Sequence, residues 1–393
     1  MASFDKLNNS SKRPVIAMVA GEASGDTLGA DLIQSLKKRY PNAKFIGIGG
    51  QKMISQGFET WYPLEKLSVM GFFEVLKHLP SLLRLRKELI KKLLTVKPDV
   101  FIGVDAPDFN FKIEGILKEK GISTVHYVGP SVWAWREKRL LKIRKQVDGV
   151  LVLFPFETEY YDKYDIPSKF VGHPLASQVI NAPGKKAARA QLGLDADAPV
   201  TGILPGSRSS EINLMIDVYV QVAVKLHQIY PKMKFVVPCV NQAARDRVEL
   251  AISDYGKGID FILLDQNAQL AMAASDQLLV TSGTATLEAA LMQRPLILAI
   301  KLHPISYWIM KRLATTKWVG LPNVLAKKCI VPELIQENAT PDKIVLALSK
   351  LITDKKMREM QLFEFKKQYD ALNQNASELA ADAVVKWAKL ENG

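Results

Sequence analysis

Val15-Ile16-Ala17-Met18-Val19-Ala20 is an unbroken apolar run that stops at Gly21-Glu22-Ala23-Ser24-Gly25-Asp26 and passes into a helical pattern. A strand with no polar alternation belongs in a parallel sheet covered on both faces. The same unit recurs outward along the chain. Further candidate strands in the first half are 44–48, 100–104, 124–128, 150–153 and 169–171. A second series follows at 200–204, 234–238, 260–264, 277–281 and 296–299. Helical patterns separate them throughout, which is the signature of repeated βαβ units.

The polar stretch 181–198 divides the two series. The expected fold is therefore α/β, with two Rossmann-like lobes over 1–180 and 195–340. A ligand cleft between the lobes would lie at the carboxyl ends of the strands, where open α/β sheets bind their ligands. From 341 to 393 the pattern is helical without strand signals, and these helices are expected to pack back on an N-terminal lobe. Whether that lobe is their own or a partner's stays open.

Composition limits the function. With 53 Lys and Arg against 40 Asp and Glu, the chain carries a formal charge of +13, which favours an anionic partner. Nucleic acid, an acidic membrane and a phosphorylated small molecule all satisfy that condition. Cys239 and Cys329 are the only cysteines, too few for a disulfide scaffold or a four-cysteine zinc site, and they suit a reducing cytoplasm. The N-terminal residues lack the apolar centre of a signal peptide, and no apolar run is long enough to span a bilayer.

Four loops follow strands and can carry chemistry. Glycines in 21–26 let backbone approach a ligand, and the helix that follows offers unpaired N–H groups to an anion. Ser24 or Asp26 can equally serve as a helix cap. In Val104-Asp105-Ala106-Pro107-Asp108, Asp105 ends an apolar strand, where a carboxylate can act as general base on a hydroxyl. Asp108 is the better cap candidate. Loop 205–211 opens the second series with Gly206, Ser207 and Arg208 before a helix, a combination that grips phosphate. It lacks the lysine of a P-loop. Ser282, Gly283 and Thr284 form a similar loop, with Glu288 one turn inside the helix and suited to ribose hydroxyls. Two such loops in one lobe point to a nucleoside diphosphate.

Three other features are less specific. Trp133 and Trp135, in 131–136, can stack on a ligand or fill a core. His173, in Gly172-His173-Pro174, fits a structural role, and the five histidines show no metal spacing. From Leu67 to Leu94, the apolar residues Val69, Met70, Phe72, Phe73, Leu76 and Leu79 stand beside Lys77, Arg84, Arg86, Lys87, Lys91 and Lys92. That pattern fits an interfacial segment on anionic lipid, or two helices broken at Gly71 and Pro80 and packed on the sheet. Neither this stretch nor a second basic run at 136–145 interleaves aromatics regularly, and no zinc-finger or RNP1 signature occurs, so nucleic acid is not the expected partner.

The motifs VAGEASGD, GVDAPDFN, HYVGPSVWAWR, FVGHPL, LPGSR, TSGTATLE and LPNVLA occur in that order between Val19 and Ala326. Together they resemble the lipid-A-disaccharide synthase family of bacterial glycosyltransferases. The resemblance implies the glycosyltransferase B fold and an inverting transfer from UDP-2,3-diacylglucosamine to 2,3-diacylglucosamine 1-phosphate (lipid X). The products would be a β-1′,6-linked disaccharide 1-phosphate and UDP. Carried onto this chain, it implies Asp105 as base, Arg208 and Glu288 on the UDP part, and Glu22 and Ser24 facing the cleft. Asn323, in LPNVLA, would complete the site. No metal or other cofactor is implied. The enzyme would sit peripherally on the cytoplasmic face of a Gram-negative inner membrane through 67–94, and a homodimer stays open. The alternative is a nonhydrolysing UDP-sugar 2-epimerase of the same fold, which would not need the apolar-basic stretch.

Overall fold

The computed structural model describes residues 13–67, 72–135, 137–281, 283–314 and 316–390. The chain divides into two units, residues 1–174 with 374–393, and residues 175–373.

In the first unit β1 (Val15–Ala20), β2 (Lys44–Ile48), β3 (Glu59–Tyr62), β4 (Val100–Val104), β5 (Ser123–Tyr127), β6 (Gly149–Val152) and β7 (Ser168–Phe170) form one sheet. All are parallel, in the order β3-β2-β1-β4-β5-β6-β7. The pleat of β1 explains its unbroken apolar sequence. Ile16, Met18 and Ala20 face one core while Ala17 and Val19 face another. Helix α1 (Ala23–Arg39) covers the first face with Leu28, Leu32 and Leu36 at helical spacing. After the short α2 (Gln51–Ser55), α3 (Phe72–Val96) covers the second face with Leu85, Leu89 and Leu93, and α4 (Pro107–Glu119) adds Ile113 and Leu117.

The second unit repeats the plan with β8 (Val200–Leu204), β9 (Lys234–Cys239), β10 (Phe261–Asp265), β11 (Gln277–Val280), β12 (Leu296–Ile300) and β13 (Glu333–Ile335). These strands are also parallel, in the order β10-β9-β8-β11-β12-β13. In both sheets the chain moves outward from its first strand and then returns to that strand's other side. This creates a topological switch point between β1 and β4, and another between β8 and β11, where such sheets bind ligands.

Several sequence expectations differ from the structure. Strands β3 and β13 have no counterpart among the candidate strands, because both are short, partly exposed edge strands whose residues do not form an apolar run. The candidate strand 124–128 ends at Tyr127, since Val128 has a left-handed φ of 73° that no strand accepts. The residues from 341 onward do not leave the second lobe as one block. Helix Pro341–Thr353 buries Ile344, Leu348 and Leu351 against Met215 and Ile216 of the helix Ser209–Ile229, within the second unit. Helix Lys355–Leu372 stays there too, where the Gln361 side-chain amide bonds both Leu296 N (2.9 Å) and Leu296 O (3.1 Å). Only the helix Ala376–Trp387 joins the first unit. There Glu378 pairs with Lys38 at 2.7 Å and accepts from Ser35 Oγ at 3.0 Å.

Over 67–94 a single helix, α3, runs through Pro80 instead of two helices broken there. Val69, Met70 and Gly71 lie outside the described residues, as do the side chains of Phe72, Phe73, Leu76 and Lys77. Among the described residues no helix is long and apolar enough to cross a membrane.

Candidate functional site

The second unit's switch point opens into a cavity of about 570 Å³. Its wall includes Gly206, Ser207, Arg208 and Glu211 from the β8 end, and Gly283 and Thr284 from the β11 end. The two loops meet because Thr281 donates to Leu204 O from both its N and its Oγ1, each at 3.1 Å. Beneath them, the buried Tyr219 hydroxyl bonds Thr281 Oγ1 at 2.9 Å and Ala299 O at 2.6 Å. Gly206 has φ 101°, and a Cβ there would lie 2.6 Å from Glu211 Oε2, so only glycine fits this turn. Gly283, with φ 72°, precedes the helix Thr284–Leu291. Two helix starts and one arginine therefore surround the cavity, which is the equipment for a diphosphate.

Arg208 is 80% exposed and pairs with Glu211 at 3.0 Å, so its guanidinium is free to exchange that carboxylate for a phosphate. Glu211 was not a sequence candidate. Neither were Val240 and Gln266, which line the cavity from the ends of β9 and β10. The cue for these two was positional, because both follow the carboxyl ends of strands on the β8 side of the sheet, where loops reach the same cavity. Ser282 lies outside the described residues. Glu288 sits one turn inside its helix, half-buried, accepting from Gln269 Nε2 at 2.8 Å, and is not on the cavity wall. Asn323 is wholly buried. Its Nδ2 donates to Val331 O at 2.7 Å and Glu333 Oε1 at 2.8 Å, and its Oδ1 accepts from Ile330 N and Val331 N at 2.8 Å each. That amide is fully committed to the turn before β13.

The first unit's switch point is built differently. Gly21 follows β1, and a Cβ there would collide with Ala106 Cβ, so the β1 and β4 turns touch. Asp105 and Ala106 are both left-handed, with φ 56° and 44°, and Val128 after β5 has φ 73°. Such backbone is strained for residues other than glycine and tends to collect at functional sites. Asp105 N donates to Tyr127 O at 2.8 Å, and Asp105 O accepts from Asn110 Nδ2 at 2.8 Å. Burial pushes the Asp105 carboxyl above its usual range, and the neighbouring Glu22 carboxylate pushes it the same way. Glu22 is exposed at the start of α1 and accepts from Ser24 Oγ at 2.5 Å. The structure thus brings Glu22, Ser24 and Asp105 together.

Neighbouring candidates have structural duties. Asp26 is buried and accepts from Gly50 N (2.7 Å), Lys52 N (3.0 Å) and Met53 N (3.1 Å), holding the start of α2. Asp108 is not the cap of α4; that position is Ala106, and Asp108 pairs with Arg139 at 2.6 Å. Trp133 is a core residue, 8% exposed, donating to Glu157 Oε1 at 3.2 Å. Burial pushes that carboxyl up to about 7. The side chain of Trp135 lies outside the described residues. Burial lowers His173 to about 4, leaving a neutral ring against Phe154. Among the described residues no three His, Cys, Asp or Glu side chains gather as a metal site requires.

Comparison with known proteins follows the same outline. A family model described as Lipid-A-disaccharide synthetase matches residues 16–386. The chain belongs to this family. It is 86% identical to a lipid-A-disaccharide synthase of Hydrogenovibrio crunogenus, over 95% of this chain and all of that protein. A lipid-A-disaccharide synthase of Hahella chejuensis is 46% identical over 95% of this chain and 94% of its own length. Among solved structures, a UDP-GlcNAc 2-epimerase from Neisseria meningitidis bound to UDP-GlcNAc aligns with a TM-score of 0.64, covering 95% of this chain and all of the epimerase. A glycosyltransferase from Rickettsia africae aligns with a TM-score of 0.58, covering 98% of this chain and all of its own. These two are 15% and 13% identical and show the shared glycosyltransferase B fold. The epimerase reading has only that fold behind it, and the chain is a glycosyltransferase of the lipid-A-disaccharide synthetase family.

Proposed function

We propose that the protein joins the diacylglucosamine of UDP-2,3-diacylglucosamine to lipid X by a single inverting displacement, with the roles divided between its two units. Asp105 accepts the proton of the acceptor hydroxyl as that oxygen bonds the anomeric carbon. The bond from the anomeric carbon to the diphosphate breaks, and UDP leaves with the electron pair. An alcohol is a weak nucleophile until its proton is removed, and a carboxylate of raised pKa holds that proton better than an ordinary one. Arg208 and the N–H groups at the two helix starts neutralise the charge growing on the departing diphosphate. Glu22 and Ser24 bind acceptor beside the base. Glu288 and Asn323 contribute from behind the cavity wall by holding Gln269 and the turn before β13.

The observation that carries this reading is Asp105 itself, a half-buried carboxylate presented on left-handed backbone at a switch point. Release of UDP from UDP-diacylglucosamine, measured with and without lipid X, tests it. Release that depends on the acceptor supports transfer. Equal release in its absence would point to hydrolysis, and an altered UDP-sugar with no UDP released would point to epimerisation.

We also propose that the protein rests on an anionic membrane surface through α3, because both substrates carry acyl chains. Leu79 and Leu83 are 43% and 46% exposed, next to the exposed Arg84, Lys87, Lys91 and Lys92. Apolar side chains beside such cations suit the boundary between headgroups and acyl chains.

A further inference from the structure

Directly behind Asp105 lies a hydrogen-bonded couple that the mechanism above does not use. His126, on β5, and Glu114, on α4, are both 0% exposed, with His126 Nδ1 2.8 Å from Glu114 Oε1. Phe111 stacks on the imidazole at 4.1 Å. Burying two ionisable groups is expensive, and apolar residues of similar volume often serve stability as well. Stability alone therefore does not account for the couple.

Its position does. A Cβ on Gly103 would collide with Glu114 Oε1, so Glu114 lies flat against β4 two residues before Asp105. His126 immediately precedes Tyr127, whose carbonyl receives the Asp105 N–H at 2.8 Å. Asn110, one turn before Glu114 on α4 and also 0% exposed, donates from Nδ2 to Asp105 O at 2.8 Å and Val19 O at 3.2 Å. Every backbone bond that holds Asp105 thus comes from a segment that the couple ties together.

We propose that Glu114 and His126 are a positioning pair for Asp105, clamping α4 to β4 and β5 so that the left-handed turn presents its carboxylate to the acceptor. The titratable groups that face Asp105 are Glu22, from the β1 turn, which raises its pKa, and His126, from β5. On α4 the neighbours are Glu114, turned to His126, and the neutral Asn110. Asp26 of α1 is committed to the start of α2. The inference rests on Asp105 as base, and Asp105→Asn is the control: a fully active Asp105→Asn protein would remove that reading first.

Two variants test the pair. Glu114→Leu/His126→Phe replaces it with apolar bulk and keeps a ring against Phe111. Its expected result is kcat lower by about tenfold or more with KM and UDP affinity unchanged, from a misplaced base in a folded protein. His126→Asn keeps an N–H donor for Glu114 and removes the ring. It should recover most of the lost kcat, with KM and UDP affinity again parental, because the restored contact to Glu114 holds α4 against β5. Parental kcat in the double variant would overturn the proposal. If the double variant does not fold, Glu114→Gln/His126→Phe, which keeps the polar volume on α4 but breaks the contact, decides in its place, and parental kcat in that folded protein would overturn the proposal.

Discussion

At the ends of β8 and β11 the chain offers mostly backbone: a glycine turn, two helix starts and an arginine that is 80% exposed. At the end of β4 it offers a side chain on strained backbone, with its support buried behind it. The two switch points share a topology and differ in construction because their tasks differ. A diphosphate is large, charged and held by many modest contacts, so an exposed arginine and fixed N–H groups suffice. A base must meet one proton at one place, and small displacements there are costly. The comparison therefore predicts that damage to the first unit appears in turnover, and damage to the second in nucleotide affinity.

The largest expected effect follows from Asp105→Asn. The amide keeps the size of the carboxylate without its basicity, so turnover should fall by roughly 100-fold or more. The parental kcat/KM should decline as pH drops through the Asp105 pKa, which lies above the usual carboxylate range. The variant should lack that acid limb. Arg208→Ala should come next, weakening UDP binding by roughly ten- to hundredfold in calorimetry, since it removes a charge-assisted contact. Unchanged affinity would make the β8 loop structural and erase the contrast between the switch points.

Gly21→Ala sharpens the comparison from the first unit. The added methyl collides with Ala106 and must push the β1 and β4 turns apart. Turnover should fall by about tenfold while UDP affinity stays parental. Normal steady-state kinetics would show that Asp105 tolerates displacement. The smallest effect belongs to the outer face of α3. Leu79→Ser with Leu83→Ser should weaken sedimentation with anionic vesicles a few-fold at an unchanged melting temperature, because both residues are exposed. Leu89→Ala, on the buried face of the same helix, should instead destabilise by about 2–5 kcal/mol. Equal melting losses in both proteins would mean that Leu79 and Leu83 are packed.

What the sequence made legible tracks the same difference. Unbroken apolar strands such as 15–20 and 200–204 announced two parallel sheets, and Gly206 with Arg208 announced an anion loop, because composition there has one physical meaning. The edge strands β3 and β13 were not legible, since neither is an apolar run and Glu59 of β3 instead pairs with Lys44 at 2.8 Å. Asn323 carried a motif that suggested ligand contact, yet an asparagine in a loop motif does not reveal whether its amide faces a ligand or its own backbone. Glu114, His126 and Asn110 were hidden for the opposite reason. Each stands alone among apolar neighbours, and only the packing of α4 on β4 and β5 makes them a group.

The central claim is the division of labour between the two switch points. Its most direct test is calorimetric titration of UDP into Asp105→Asn and Arg208→Ala proteins, with turnover measured on the same preparations. The account predicts parental UDP affinity with turnover lost in Asp105→Asn, and affinity lowered by roughly ten- to hundredfold in Arg208→Ala. Equal losses of UDP affinity in the two proteins, or near-parental turnover in Asp105→Asn, would contradict it.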